Sequence, residues 1–276
     1  MLELFKVVIL GIVEGITEWL PISSTGHMLL VDLFLKLKAP EEFKTMFFVV
    51  IQLGAIMAVV VIYWKQLWPW KRAESGQIVT SRGTLLLWAK VLAATLPAAI
   101  LGFALDDFID DHMHKPVIIA LALIIFGIWF IIVEDWNKKR QPAIRKLSQL
   151  TYKDALLIGA FQMLALVPGV SRSGATIIGM LVLGVSRGLA ARFSFYMSIP
   201  VMFGASFLKL VKFGFHFTAF QVVELLVGMI VAFFVSVFVI QFLMGYIKKH
   251  DFKVFGWYRI ALGILVLLVF GAKAIL

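Results

Sequence analysis

Six stretches of this chain, at roughly 46–64, 88–105, 116–134, 193–211, 220–247 and 255–273, are apolar throughout. Each is long enough to cross a bilayer, which takes about 20 residues of helix. A segment in hydrocarbon must satisfy its own backbone polar groups, so runs of this length are expected as helices. The reading is an all-α polytopic membrane protein forming one integral membrane domain over 1–276. A soluble chain of 276 residues would need far more polar surface than one that is 62% hydrophobic and 15% charged.

Charge placement gives the orientation. The net charge is +10, and most of it sits between spans. Lys65, Lys71, Arg72, Arg82 and Lys90 fall in one loop. Lys138, Lys139, Arg140, Arg145, Lys146 and Lys153 fall in a second, and Lys248, Lys249 and Lys253 in a third. Basic clusters beside spans mark cytoplasmic loops, and no nucleic-acid partner is expected because no recognition fold accompanies them. Absence of cysteine rules out disulfides and thiolate metal sites. No cleavable signal is read at the start, so targeting is expected to rely on the spans.

Two other apolar regions are interrupted. Residues 4–20 stop at Pro21, and 28–37 is only about 15 Å of helix at 1.5 Å per residue. Residues 155–167 likewise stop at Pro168, and 175–185 is too short to continue across. Each reads as a re-entrant hairpin of two half-helices around a polar loop, an arrangement tolerated at membrane depth only beside a cavity or within protein.

A shift of 148 residues places Gly11 on Gly159, Glu14 on Gln162, Ser23 on Ser171, Thr25 on Ser173 and Gly26 on Gly174. The expected fold is therefore an inverted-topology repeat with halves at about 1–137 and 150–276. Each half holds one re-entrant hairpin and three transmembrane helices, about ten helices in all. With the basic loops inside, both termini lie outside, and the two hairpins enter from opposite sides. Broken helices of inverted repeats commonly meet near mid-membrane, so the two polar loops should converge.

Polar groups at that depth are costly, a charge at a helix centre costing about 2.5–3.5 kcal/mol on insertion scales. Glu14 and Glu18 share one helix face a turn apart. They read as a metal-ligand pair, a general base, or a protonated pair bracing the bundle. Ser23, Ser24, Thr25, Gly26 and His27 follow, a hydroxyl-rich loop with a base nearby. In the second loop Gly169 and Gly174 free the backbone, while Ser171, Ser173 and Thr176 surround Arg172 at the start of a helix. That composition suits a phosphate. Together the loops suggest hydrolysis of a phosphate ester or anhydride on a substrate entering from lipid.

The segments Glu14-Gly-Ile-Thr-Glu18-Trp-Leu-Pro21-Ile-Ser23-Ser24-Thr25-Gly26-His27 and Pro168-Gly-Val-Ser171-Arg172-Ser173-Gly174-Ala-Thr176 closely resemble the bacterial undecaprenyl-diphosphate phosphatase family, also known as bacitracin-resistance proteins. The resemblance covers the whole chain. It implies dephosphorylation of undecaprenyl diphosphate in the bacterial plasma membrane, recycling the carrier for peptidoglycan. It also implies a divalent cation, Mg2+ or Ca2+, and an active site toward the outer side. By similarity Ser24, His27, Glu18 and Arg172 are the catalytic candidates, with Glu14 and Glu18 as metal ligands. Ser23, Thr25, Gly26, Gly169, Ser171, Ser173 and Thr176 are the phosphate-binding candidates. The preferred scheme has Ser24 attacking the terminal phosphorus while Glu18 or His27 takes its proton. His27 as phosphate acceptor and direct attack by water stay open, as does the oligomeric state, a homodimer being one option.

The rival class is a lipid-phosphate flippase or anion carrier, since inverted repeats with broken helices are transporter architecture. A carrier needs the arginine cradle but not the glutamates with Ser24 and His27. Asp106, Asp107, Asp110, Asp111, His112 and His114 are expected as a solvated outer loop rather than a metal site.

Overall fold

The computed structural model describes residues 2–72, 77–214 and 216–275. The first hairpin is α1 (Leu2–Thr17) and α2 (Ser24–Leu35). The first span is α3 (Glu41–Val50) with α4 (Gln52–Ile62), followed by one-turn α5 (Trp64–Leu67). An exposed antiparallel ribbon, β1 (Trp70–Arg72) with β2 (Ile78–Thr80), leads to α6 (Arg82–His112) and α7 (Pro116–Lys138). The second hairpin is α8 (Tyr152–Met163), a 3-10 turn and α9 (Arg172–Val182). Then come α10 (Arg187–Phe213), α11 (Ala219–Tyr246) and α12 (Lys253–Ile275).

Six helical segments are long and apolar enough to cross a membrane, at Glu41–Ile62, Arg82–Ile109, Pro116–Lys138, Arg187–Phe213, Ala219–Tyr246 and Lys253–Gly271. They coincide with the expected spans, and the fold is all-α and polytopic. The helix number differs from about ten, with twelve α-helices among the described residues. Two causes account for it: the first span breaks at Ile51, and α5 adds a turn before the ribbon.

Both hairpins break where proline enters. α1 ends at Thr17, short of Pro21, although the Glu18 amide still donates to the Glu14 carbonyl at 3.1 Å. α8 gives way to the 3-10 turn Leu164–Leu166 before Pro168. Proline lacks the amide that the helix would need, and it pushes its predecessor out of the helical region.

The helix contacts come in matching pairs. α1 lies along α11 and α8 along α6; α4 packs on α11 and α10 on α6; α2 meets α12 and α9 meets α7. Small residues allow the close crossings. A Cβ on Gly11 would stand 2.9 Å from the Gly228 carbonyl oxygen, and one on Gly127 would stand 2.7 Å from that of Gly256, where α7 and α12 run together.

One expectation is corrected. The acidic stretch after Leu105 is helical to His112 rather than a free loop. Lys212 of α10 holds Asp106 and Asp107 at 2.7 Å each. The side chain of Asp110 lies outside the described residues. The partner comes from more than 100 residues downstream, so neighbouring residues give no sign of it.

Candidate active site

Ser23 caps α2 and Ser171 caps α9, each side-chain oxygen accepting the amide three residues on, Gly26 at 3.3 Å and Gly174 at 3.2 Å. The backbone of Ser23 sits at φ 73°, sparsely populated without glycine. It is held there by the Gly26 bond and by the His27 ring on its carbonyl. Both helices thus start in the same region, and their free first-turn amides and positive dipole ends favour an anion there.

Between the two starts runs one polar line. The Ser24 hydroxyl donates to Glu18 Oε2 at 3.0 Å. Arg172 donates to the other oxygen, Oε1, through Nε at 3.3 Å and Nη2 at 3.1 Å. Its Nη1 donates to the Ser194 carbonyl at 2.8 Å. Thr176 bonds the Arg172 carbonyl at 3.0 Å and the Ser194 hydroxyl at 2.7 Å, locking the arginine's helix to α10. The Ser173 hydroxyl bonds the Glu18 carbonyl at 3.2 Å and the Ser171 hydroxyl at 3.0 Å. Beneath them Trp19 is fully buried, edge-on to Phe195 with centroids 5.3 Å apart. The two loops meet, with Glu18 and Arg172 in direct contact.

His27 is near this line but not on it. Its Nδ1 is 2.7 Å from the Ser23 carbonyl, which only accepts, so Nδ1 carries the proton. Its Nε2, 2.7 Å from the Tyr258 hydroxyl, then accepts from that phenol. The geometry gives Ser24 to Glu18 rather than to His27. Glu14 is buried next to Glu18, and its Oε1 has no hydrogen-bond partner among the described residues. Gln162, its counterpart at the 148-residue shift, is buried, with neither amide atom bonded among the described residues. Thr25 is exposed and stands apart from the network.

Burial relaxes in one direction. Glu14 and Glu18 are buried, Ser24 and His27 half-buried, and Tyr258 is 46% exposed, so the site opens past Tyr258. Tyr258, Ser194 and Arg259 touch the loops although the sequence reading passed over them. Arg259 could have been found by its cost, as a charge inside an apolar span. Ser194 and Tyr258 carry no such signal.

Among the described residues no group of three or more His, Asp or Glu is arranged to hold a metal. Glu18 has both oxygens engaged, so of the two glutamates on this helix face it is Glu14 whose buried oxygen, Oε1, is unpartnered among the described residues.

A family model described as "Bacitracin resistance protein BacA" matches residues 7–265. A protein of Enterococcus faecalis named "Undecaprenyl-diphosphatase" is 59% identical over 268 residues, covering 97% of each chain. One of the same name from Acetivibrio thermocellus is 60% identical over 270 residues, 98% of each. A third, from Desulfitobacterium hafniense, is 55% identical over 277 residues, 100% of this chain and 99% of that one.

Proposed function

The chain belongs to the bacitracin resistance protein BacA family, and from that membership we propose that it acts as its relatives are named. It hydrolyses undecaprenyl diphosphate in the bilayer to undecaprenyl phosphate and inorganic phosphate. The product is the lipid carrier of peptidoglycan synthesis, and removal of the diphosphate confers bacitracin resistance.

The observation that supports this chemistry best is the Ser24 hydroxyl on Glu18, whose other oxygen is on Arg172. A carrier has no use for a hydroxyl aimed at a carboxylate. In the reaction Ser24 Oγ attacks the terminal phosphorus and passes its proton to Glu18. The new bond is Oγ–P, and the bond that breaks joins that phosphorus to the bridging oxygen, which leaves on the lipid monophosphate. Water then attacks the phosphoserine phosphorus and the Oγ–P bond breaks; the proton on Glu18 returns to Ser24 Oγ, and the water's protons leave with inorganic phosphate. Arg172, fixed by Glu18 and Ser194, offers a remaining Nη2 hydrogen to the equatorial oxygens, with the two helix starts beside it. Ser171, Ser173, Gly169, Gly26 and Ser23 shape that cradle. Thr25 is assigned to its rim. His27 stands at the mouth with Tyr258 and orients the headgroup.

A divalent cation, Mg2+ or Ca2+, suits the donors present. Hard cations accept one or two carboxylates and take their remaining oxygens from phosphates and water. Glu14, with its unpartnered oxygen, is the residue that would hold it; Glu18 is committed elsewhere. The cation would supply charge neutralisation to the diphosphate.

The halves 1–137 and 150–276 are read as one duplicated unit in inverted orientation within a single domain, supported by the matching caps and helix contacts. Termini and active site are assigned to the outer side on the strength of the basic loops. The chain lacks cysteine, so single cysteines placed in those loops and labelled from one side would test that assignment.

Phosphate release from C55-diphosphate by purified protein tests the activity. Release by wild type but not by Ser24→Ala, Glu18→Ala or Arg172→Ala supports it. Transbilayer movement of lipid phosphate without release would favour the carrier.

A further inference from the structure

The charge on α12 has no part in the chemistry above. Arg259 is wholly buried within the last span, where an ionised side chain is expensive, yet it forms no ion pair among the described residues. Its hydrogen bonds go to two backbone carbonyls. Nη1 donates to Pro21 at 3.2 Å and Nη2 to Gly169 at 2.9 Å.

Those carbonyls are counterparts. Pro21 and Gly169 are 148 residues apart, the shift that relates Ser23 to Ser171. Each lies at the apex of its re-entrant loop, two residues before the cap. The surroundings are built around the guanidinium. Gly169 has φ +98°, which aims its carbonyl as glycine can, and a Cβ there would stand 2.6 Å from the Ile119 carbonyl oxygen. A Cβ on Gly174 would stand 3.0 Å from Arg259 Nη1, so that motif glycine makes room for the arginine. The Phe126 ring lies 5.8 Å from Arg259 Cζ, a distance at which its face attracts the cation.

We propose that Arg259 is a positioning residue that clamps both loop apices with one planar group. It holds the loop bearing Glu18 and Ser24 in register with the loop bearing Arg172, so the Ser24–Glu18–Arg172 line is assembled before substrate arrives. The inference rests on the phosphatase reading. Lysine cannot replace it, because an ammonium is a single point and does not present the rigid fork that reaches both carbonyls.

The test uses the full chain in nanodiscs, with kcat and KM for C55-diphosphate measured for wild type, Arg259→Lys and Arg259→Ala. Rates are normalised to the monodisperse folded fraction. A misplacement on the order of 1 Å costs about 100-fold in rate, so kcat should fall by about that factor in both variants while KM stays close to wild type. Added guanidinium should restore Arg259→Ala, and methylammonium at equal ionic strength should not. Where Arg259→Ala does not fold, Arg259→Lys and its division between kcat and KM decide. The proposal is overturned by wild-type kcat in Arg259→Lys, by a loss confined to KM, or by equal rescue with methylammonium. Wild type in the same assay separates the two: silence there sinks the phosphatase reading and the clamp with it, whereas an active wild type with an unimpaired Arg259→Lys sinks the clamp alone.

Discussion

Glu18 and Arg172, 154 residues apart in sequence, meet through one carboxylate oxygen that takes two guanidinium bonds, at 3.1 and 3.3 Å. Their side chains are 7% and 10% exposed. Removing either partner strands a buried charge, which costs about 3–5 kcal/mol. Glu18→Ala and Arg172→Ala should each lower stability in detergent by that order, and the double variant by clearly less than the sum. Strict additivity in thermal melts would show that the pair is not coupled.

Ser24 separates chemistry from folding. Its half-buried hydroxyl makes one bond, to Glu18, so Ser24→Ala should cost about 1 kcal/mol of stability. Its kcat should fall by roughly 10⁶-fold, the order seen when a covalent nucleophile is removed. Ser23→Ala should lose a similar stability of about 1 kcal/mol, as a cap, but with a much smaller change in kcat. A melt and a phosphate assay on each variant check the contrast.

Tyr258 covers the basic nitrogen of His27. Tyr258→Phe should lower kcat by no more than about tenfold, the worth of one neutral hydrogen bond. Diethyl pyrocarbonate should then acylate His27 faster, because Nε2 is uncovered. An unchanged acylation rate would mean that the phenol does not shield it.

Two glycines should respond differently to alanine. Gly169 combines φ +98° with a carbonyl oxygen in the way of a Cβ, whereas Gly188 has nothing within 4 Å. Gly169→Ala should lose about 2 kcal/mol or more, strain and clash together, and turn over slowly. Gly188→Ala should shift stability by at most about 1 kcal/mol. Equal melting temperatures for the two would contradict the loop geometry.

Chelation should stop phosphate release, and Mg2+ or Ca2+ should restore it. With Glu14 as the cation's protein ligand, Glu14→Gln should raise the half-activating concentration by at least about tenfold. An unshifted activation curve would remove Glu14 from that role.

The spans and the meeting of the two polar loops were legible because expensive groups in apolar sequence have few places to go. Glu18 and Arg172 announce themselves that way. The finer wiring was not. Proximity in sequence pairs Ser24 with His27, but helix α2 starts between Ser23 and Ser24, and the imidazole turns back to the Ser23 carbonyl. Thr25, next to Ser24 and two residues from Ser23, is exposed and stands outside the network. Ser194 and Tyr258 lie in ordinary apolar spans and gain meaning only when those spans are folded against the loops. The acids near His112 misread as free for the same reason, their lysine being supplied by a distant helix.

Ser24 and Arg172 occupy the same slot, the first residue after the serine cap of each half-helix, 148 residues apart. A scaffold with twin slots has filled one with a hydroxyl and the other with a guanidinium, so neither twin can stand in for its sibling. One chain therefore houses a single turnover centre, and a tight-binding inhibitor should titrate it at one equivalent. Loss of either slot's side chain disables the whole centre, because no second site exists to carry a half-strength remnant.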